Sequence, residues 1–281
     1  MKLNNIKLIA TDLDGTILNH GKISNKLDVE MLKLAAEQGI HVVVSTGQGW
    51  SSAKPRAEMF NVDKYSNLSV FSNGAVISEV KEYNPIYCQS IDSKLVEEFM
   101  KMMSILDVAC LAYTKIPAHA YWNGIDIKVE SMVKRNWVDK YNTEKVDVLT
   151  FKNYIDVVQL MIFVEEEQER LLLEWINKNN LTNKLNHMRS NVESTPIYEF
   201  IHIESNKGYG VLKLAEILNI DKEDILIFGD NLNDISMFEM IPNSVAMGNA
   251  VELIKQKAKY ITDTNMNGGV GQFIKTHIIK E

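Results

Sequence analysis

The 281-residue chain is 46% hydrophobic and 24% charged, the composition of a globular protein that can bury a sizeable core, and its length suits two domains or one large one. A formal charge of −7 argues against a nucleic-acid backbone as partner, because such binding needs clustered Lys and Arg. Cys88 and Cys110 lack metal-like spacing, which leaves no disulfide framework or zinc knuckle, and both are expected to be reduced and buried.

Ile6 to Thr11 is a short apolar run that suits a strand buried on both faces, and it ends in "TDLDGT". A helix follows from Ser24, with Ser24 or Asn25 as N-cap and Gly39 past its end; "IHVVVS", Ile40 to Ser45, is a second buried strand. Together they make a βαβ unit. A helix around Trp50 to Met59 leads to a third strand, Leu68 to Ser72, closing in the turn "SNGA".

Residues 82–202 follow a different grammar. A helix (Ser93 to Leu106) precedes two strand-like runs, "VACLAYT" and "AHAYW". After a helical connector around Ile127 to Tyr141 and a strand at Val157 to Val164, a second helix (Glu165 to Asn177) precedes "KLNHMRS" and "IYEFIHI". This weak α-β-β repeat predicts an α+β domain inserted into the parallel one. The parallel grammar then returns: helix Tyr209 to Leu218, strand Ile225 to Phe228, a helix after Asn233, strand Val245 to Met247 and helix Val251 to Lys257. The predicted fold is a doubly wound parallel α/β sheet formed by 1–81 and 203–281, with 82–202 inserted.

Open parallel sheets bind ligands beyond the carboxyl ends of their strands. The first such end offers Asp12 and Asp14, which alone suit a turn equally well and lack the later ligands of an EF-hand loop. The second offers "STGQG", whose hydroxyl and backbone N–H groups beside a glycine can cradle phosphate oxygens. "FGDNLND" puts Asp230 at a strand end and Asp234 on the opening turn of a helix, where capping is the ordinary role. Lys207 in "SNKGYG" lies just before a predicted helix, a position where lysines are usually solvated.

In order along the chain, "DLDGT", "STG", the lysine of "NKG" and "GDNLND" resemble the four motifs of the haloacid dehalogenase-like (HAD) superfamily. With "SNGA", "AMGNA" and "TDTNMNGGV", the chain looks like the Cof-type branch of sugar-phosphate phosphatases, and the insertion like that branch's cap. The resemblance implies a Mg²⁺-dependent phosphatase of small phosphorylated metabolites. Asp12 would be the nucleophile that forms an aspartyl-phosphate, and Asp14 the general acid and then base. The metal ligands implied are the Asp12 and Asp230 side chains and the Asp14 carbonyl, with Asp234 in the outer shell. Thr46, Gly47 and Lys207 would hold phosphoryl oxygens, joined by Gly15, Asn233 and Asn73.

One position departs from the branch: an arginine commonly follows "TG", and here Gln48 stands there, which keeps hydrogen bonding but loses charge and the bidentate fork. A phosphomutase of the same fold and a phosphometabolite-binding protein with little turnover are the competing readings. The N-terminus lacks a signal-peptide pattern and no segment nears the roughly 18 apolar residues of a membrane span, so a cytoplasmic monomer or weak homo-oligomer without a membrane partner is expected.

Overall fold

The computed structural model describes residues 3, 5–128, 142–192 and 195–279. The expected connector helix lies, beyond residue 128, outside the described residues. The chain divides into two compact units, Met1–Tyr87 with Asn206–Glu281, and Cys88–Ser205.

In the first unit five parallel strands lie in the order Tyr260–Ile261, Asn243–Ala246, Ile225–Gly229, Leu8–Thr11, His41–Val44. Leu8, Ile9, Ala10, Leu226, Ile227 and Phe228 are fully buried, which is why these strands read as continuous apolar runs rather than as alternation. The chain moves from Leu8–Thr11 to one side and returns on the other, so the order reverses between Leu8–Thr11 and Ile225–Gly229. That reversal opens a crevice at the carboxyl ends of these two strands.

The helix Lys26–Glu37 is capped by Asn25, whose side chain accepts from Leu27 N–H. Leu68–Phe71 lies parallel to the end of His41–Val44, as expected of a third strand, through a Ser45–Val70 bridge and a 3.0 Å hydrogen bond from Thr46 N–H to the Val70 carbonyl. It also pairs antiparallel with Val76–Glu79 in a three-stranded sheet completed by Pro85–Cys88, and Val44 N–H donates to Ser69 Oγ at 3.1 Å. The antiparallel pairing follows from the "SNGA" turn, where Ser72, Asn73 and Gly74 all take positive φ and reverse the chain. A hairpin of Leu18–Asn19 with Lys22–Ile23, too short to leave a pattern, also went unpredicted.

The second unit holds a six-stranded sheet in the order Asn142–Lys145, His119–Trp122, Ala109–Thr114, Val157–Phe163, Thr195–His202, Leu185–Val192. Its pairings are antiparallel except between Asn142–Lys145 and His119–Trp122. Both expected helix-then-two-strand passages are present, led by Ser93–Ile105 and Glu166–Lys178. Phe99, Met100 and Met103 of the first helix, with Leu172 and Ile176 of the second, bury one sheet face through Cys110, Leu160, Ile162 and Phe200. Cys110 is buried as expected, whereas Cys88 is half-buried, and both are free thiols. Among the described residues no helix is long and apolar enough to cross a membrane.

Candidate active site

Strand register assembles the site. Thr11 lies opposite Phe228 on one side and Val44 on the other, so the residues after each strand converge. Asp12 N–H donates to the Phe228 carbonyl, and Ser45 N–H to that of Thr11. Asp12 and Asp230 therefore flank the point of reversal, with Thr46 one residue beyond Ser45.

The buried centre is Lys207. Its ammonium lies 2.5 Å from Asp12 Oδ1 and 2.6 Å from Asp234 Oδ1, and none of its surface reaches solvent. It is the first residue of the helix Lys207–Ile217 rather than a residue before it, and Asn206 is the N-cap, accepting from Tyr209 N–H at 2.7 Å. The next residue must be glycine, because a Cβ on Gly208 would stand 2.4 Å from the Ser236 carbonyl oxygen; this close approach seats Lys207 against Asp234.

Asp234 uses its other oxygen on the turn it closes, Oδ2 accepting from Asp230 N–H at 2.9 Å and Asn231 N–H at 3.1 Å. Asp230 Oδ1 accepts from the Thr16 hydroxyl at 2.9 Å. Gly15 turns the "DLDGT" loop at φ +91°, and a Cβ there would fall 2.3 Å from Asp230 Oδ2. Gly15 thus lets the loop approach Asp230.

Asp12, Asp230 and Asp234 each offer an oxygen within 4.8 Å of the others. Lys207 pairs with two of these three carboxylates, so with all three ionised the cluster carries two negative charges in excess. Burial works against the Lys207 charge, but the pull of Asp12 and Asp234 outweighs it and its pKa is raised. Burial raises Asp12, with Asp234 and Asp230 adding to the effect against Lys207, and burial with Asp234 pushes Asp230 up to about 6. An all-oxygen donor set with unbalanced negative charge fits a hard divalent cation.

Around this centre, Thr46 is buried and its Oγ1 accepts from Gln48 N–H at 3.2 Å. Gly47 lies against Asn73, where a Cβ would meet Oδ1 at 2.9 Å, and Asn73 N–H donates to the Thr46 carbonyl at 3.0 Å. Asn233 is half-buried on the turn Leu232–Asp234. Asp14 stands apart from the buried group: it is exposed, and Gln48 Nε2 donates to its Oδ2 at 2.5 Å.

Sequence reasoning passed over Thr16, Arg56, Asn249 and Asn265. Asn249 Nδ2 donates to the Gly15 carbonyl at 2.8 Å, and Asn265 N–H donates to Asn249 Oδ1 at 2.9 Å. Asn265 Nδ2 reaches the Leu18 carbonyl at 3.4 Å. The "AMGNA" and "TDTNMNGGV" segments therefore brace the "DLDGT" loop from behind, and the signal for this was their repeated asparagines beside glycine.

The fold and these strand-end carboxylates are those of a HAD-like hydrolase. The sequence matches the haloacid dehalogenase-like hydrolase family over residues 9–274, and the chain belongs to that family. The 5-amino-6-(5-phospho-D-ribitylamino)uracil phosphatase YcsE of Bacillus subtilis is 28% identical over 275 residues, spanning 98% of this chain and 96% of its own. Phosphatase YwpJ of the same organism is 28% identical over 290 residues, spanning 96% and 99%. A haloacid dehalogenase-like hydrolase from Bacteroides thetaiotaomicron has the same fold, with a TM-score of 0.80 at 25% identity over 96% of this chain and 99% of that one. The protein is a phosphatase of this family.

Proposed function

We propose that the protein is a Mg²⁺-dependent phosphatase that hydrolyses small phosphorylated metabolites, sugar phosphates foremost, through an aspartyl-phosphate on Asp12. The observation that carries this reading is the buried Asp12–Lys207–Asp234 ion-paired group beside Asp230 at the sheet's point of reversal. Relatives named as phosphatases of a phosphoribitylamino-uracil support a phosphorylated polyol or sugar as substrate. On this reading 82–202 is the cap that selects among such substrates.

Phosphate monoesters are among the slowest bonds to hydrolyse, with enzymatic accelerations up to the order of ~10²¹, and positioning and charge neutralisation supply most of it. An Asp12 carboxylate oxygen attacks phosphorus, the ester P–O bond breaks, and the leaving alkoxide takes a proton from Asp14. Asp14, now ionised, takes a proton from water as the water oxygen attacks phosphorus; the bond to Asp12 breaks and inorganic phosphate leaves. Lys207 offsets charge on Asp12 and on the transferring group as a buried point charge. Thr46 Oγ1 already accepts from Gln48 N–H, so its own proton is available to a phosphoryl oxygen. Mg²⁺, held by the Asp12 and Asp230 side chains and the Asp14 carbonyl, would supply the positive charge that lets an anionic substrate approach these carboxylates. Both Asp234 oxygens are engaged by Lys207 and backbone N–H groups, which suits an outer-shell role.

The test is phosphate release from p-nitrophenyl phosphate with Mg²⁺ and with EDTA, for the wild type and Asp12→Asn. EDTA is expected to silence the wild type reversibly and Asp12→Asn to be inactive at any Mg²⁺ concentration. Substantial turnover by a folded Asp12→Asn protein would sink the covalent mechanism.

A further inference from the structure

We infer that Gln48 and Arg56 form a two-residue positioning device for the Asp14 carboxyl; the inference rests on the reading of Asp14 as the group that exchanges protons with leaving group and water. An amide can present either end to a neighbour, and its surroundings decide which. Arg56 Nη1 lies 2.5 Å from Gln48 Oε1, and because a guanidinium only donates, the oxygen faces it. The amide nitrogen is thereby turned to Asp14 Oδ2, at 2.5 Å.

Arg56 is itself held. It is half-buried in the helix Trp50–Glu58, and the same Nη1 donates to the Ser52 carbonyl at 2.7 Å, one turn back. The chain of contacts thus runs from a helix backbone through a cation and an amide to an exposed carboxylate. Without it the exposed Asp14 side chain would sample several rotamers, and misplacement of a reacting group is costly to rate. With a cation bound at Oε1, the amide N–H is a better donor than a solvated glutamine would be.

The interposed amide also differs from a guanidinium placed directly on Asp14. A guanidinium fork captures both oxygens of a carboxylate, whereas Gln48 Nε2 donates to Oδ2. The missing arginine at position 48 is offset by one eight residues later, acting at one remove.

The experiment compares kcat/KM, which reports steps up to formation of the covalent species, for p-nitrophenyl phosphate and glucose 6-phosphate. The aryl oxide leaves without a proton and the sugar alkoxide does not, so only the second substrate needs a well-placed acid. Arg56→Met and Gln48→Leu are expected to lower kcat/KM about tenfold for glucose 6-phosphate and less than about twofold for p-nitrophenyl phosphate, with Arg56→Lys regaining part of the loss. Equal losses on both substrates in proteins with wild-type melting curves, or no loss on either, would overturn the inference. Asp14→Asn separates the two layers. If it leaves the substrate ratio unchanged, the reading of Asp14 fails; if it shifts the ratio while the Gln48 and Arg56 variants do not, only the positioning device fails.

Discussion

Asp28 offers a measurable test of burial energetics away from the site. It lies in the first turn of the helix Lys26–Glu37, where an acid ordinarily interacts with the helix dipole from the surface, yet it is fully buried. Its Oδ1 accepts from Gly271 N–H at 2.7 Å, and its Oδ2 has no partner among the described residues. Burial pushes the carboxyl up to about 6 from 3.8, against the Gly271 hydrogen bond. The folded state therefore binds the proton more tightly than the unfolded state, and stability falls as pH rises from near 4 through 6. The full shift corresponds to roughly 3 kcal/mol, of which about 2 kcal/mol is lost between pH 4.5 and 8. Asn at this position keeps the acceptor for Gly271 and cannot ionise. Urea denaturation of wild type and Asp28→Asn at both pH values should show the variant gaining about 2 kcal/mol relative to wild type on going from pH 4.5 to 8. Asp12 and Asp230 titrate with the same sign, but they are common to both proteins and cancel in the difference. A stability difference that does not change with pH would refute the claim that Asp28 is buried with an unpartnered charge.

Two further substitutions probe the loop that carries Asp12 and Asp14. Gly15→Ala would put a Cβ 2.3 Å from Asp230 Oδ2 at φ +91°, and a drop in kcat on the order of 100-fold in a folded protein is expected from steady-state kinetics. Asn249→Ala removes the 2.8 Å hydrogen bond to the Gly15 carbonyl and strands Asn265 N–H; urea melts should show a loss of about 1–2 kcal/mol, and kcat should fall with it.

What the sequence disclosed follows from how far apart the cooperating residues lie. Apolar runs at Leu8–Thr11 and Ile225–Gly229 announced buried strands, so the carboxylates just beyond them could be placed at sheet ends without coordinates. Lys207 was visible as a motif residue but not as a buried one, because its partner Asp12 is 195 positions away and its burial comes from packing between distant segments. Arg56 gave no signal, since an arginine in a helix is unremarkable until Gln48 is seen to turn toward it. Leu68–Phe71 was legible as a parallel strand, which its bridge to Ser45 supports, but its antiparallel pairing with Val76–Glu79 was not, because periodicity reports burial and not partners and the three positive-φ residues that reverse the chain lie after it.

The same local physics explains why the active cluster is unbalanced. An asparagine at 230 would accept the Thr16 hydroxyl as well as the aspartate does and would lower the repulsion felt by Asp12 and Asp234. Such a cluster, with one negative charge in excess instead of two, would be easier to bury but would attract a divalent cation less strongly. The excess of two negative charges around Lys207 is a cost to the folded protein in the absence of metal. A bound divalent ion would make it favourable, because it would offset the carboxylate charges and supply the positive charge that lets an anionic phosphate approach them. On the proposed reading, stability forgone in the free protein would be the source of its affinity for a divalent cation, and through that cation for an anionic substrate.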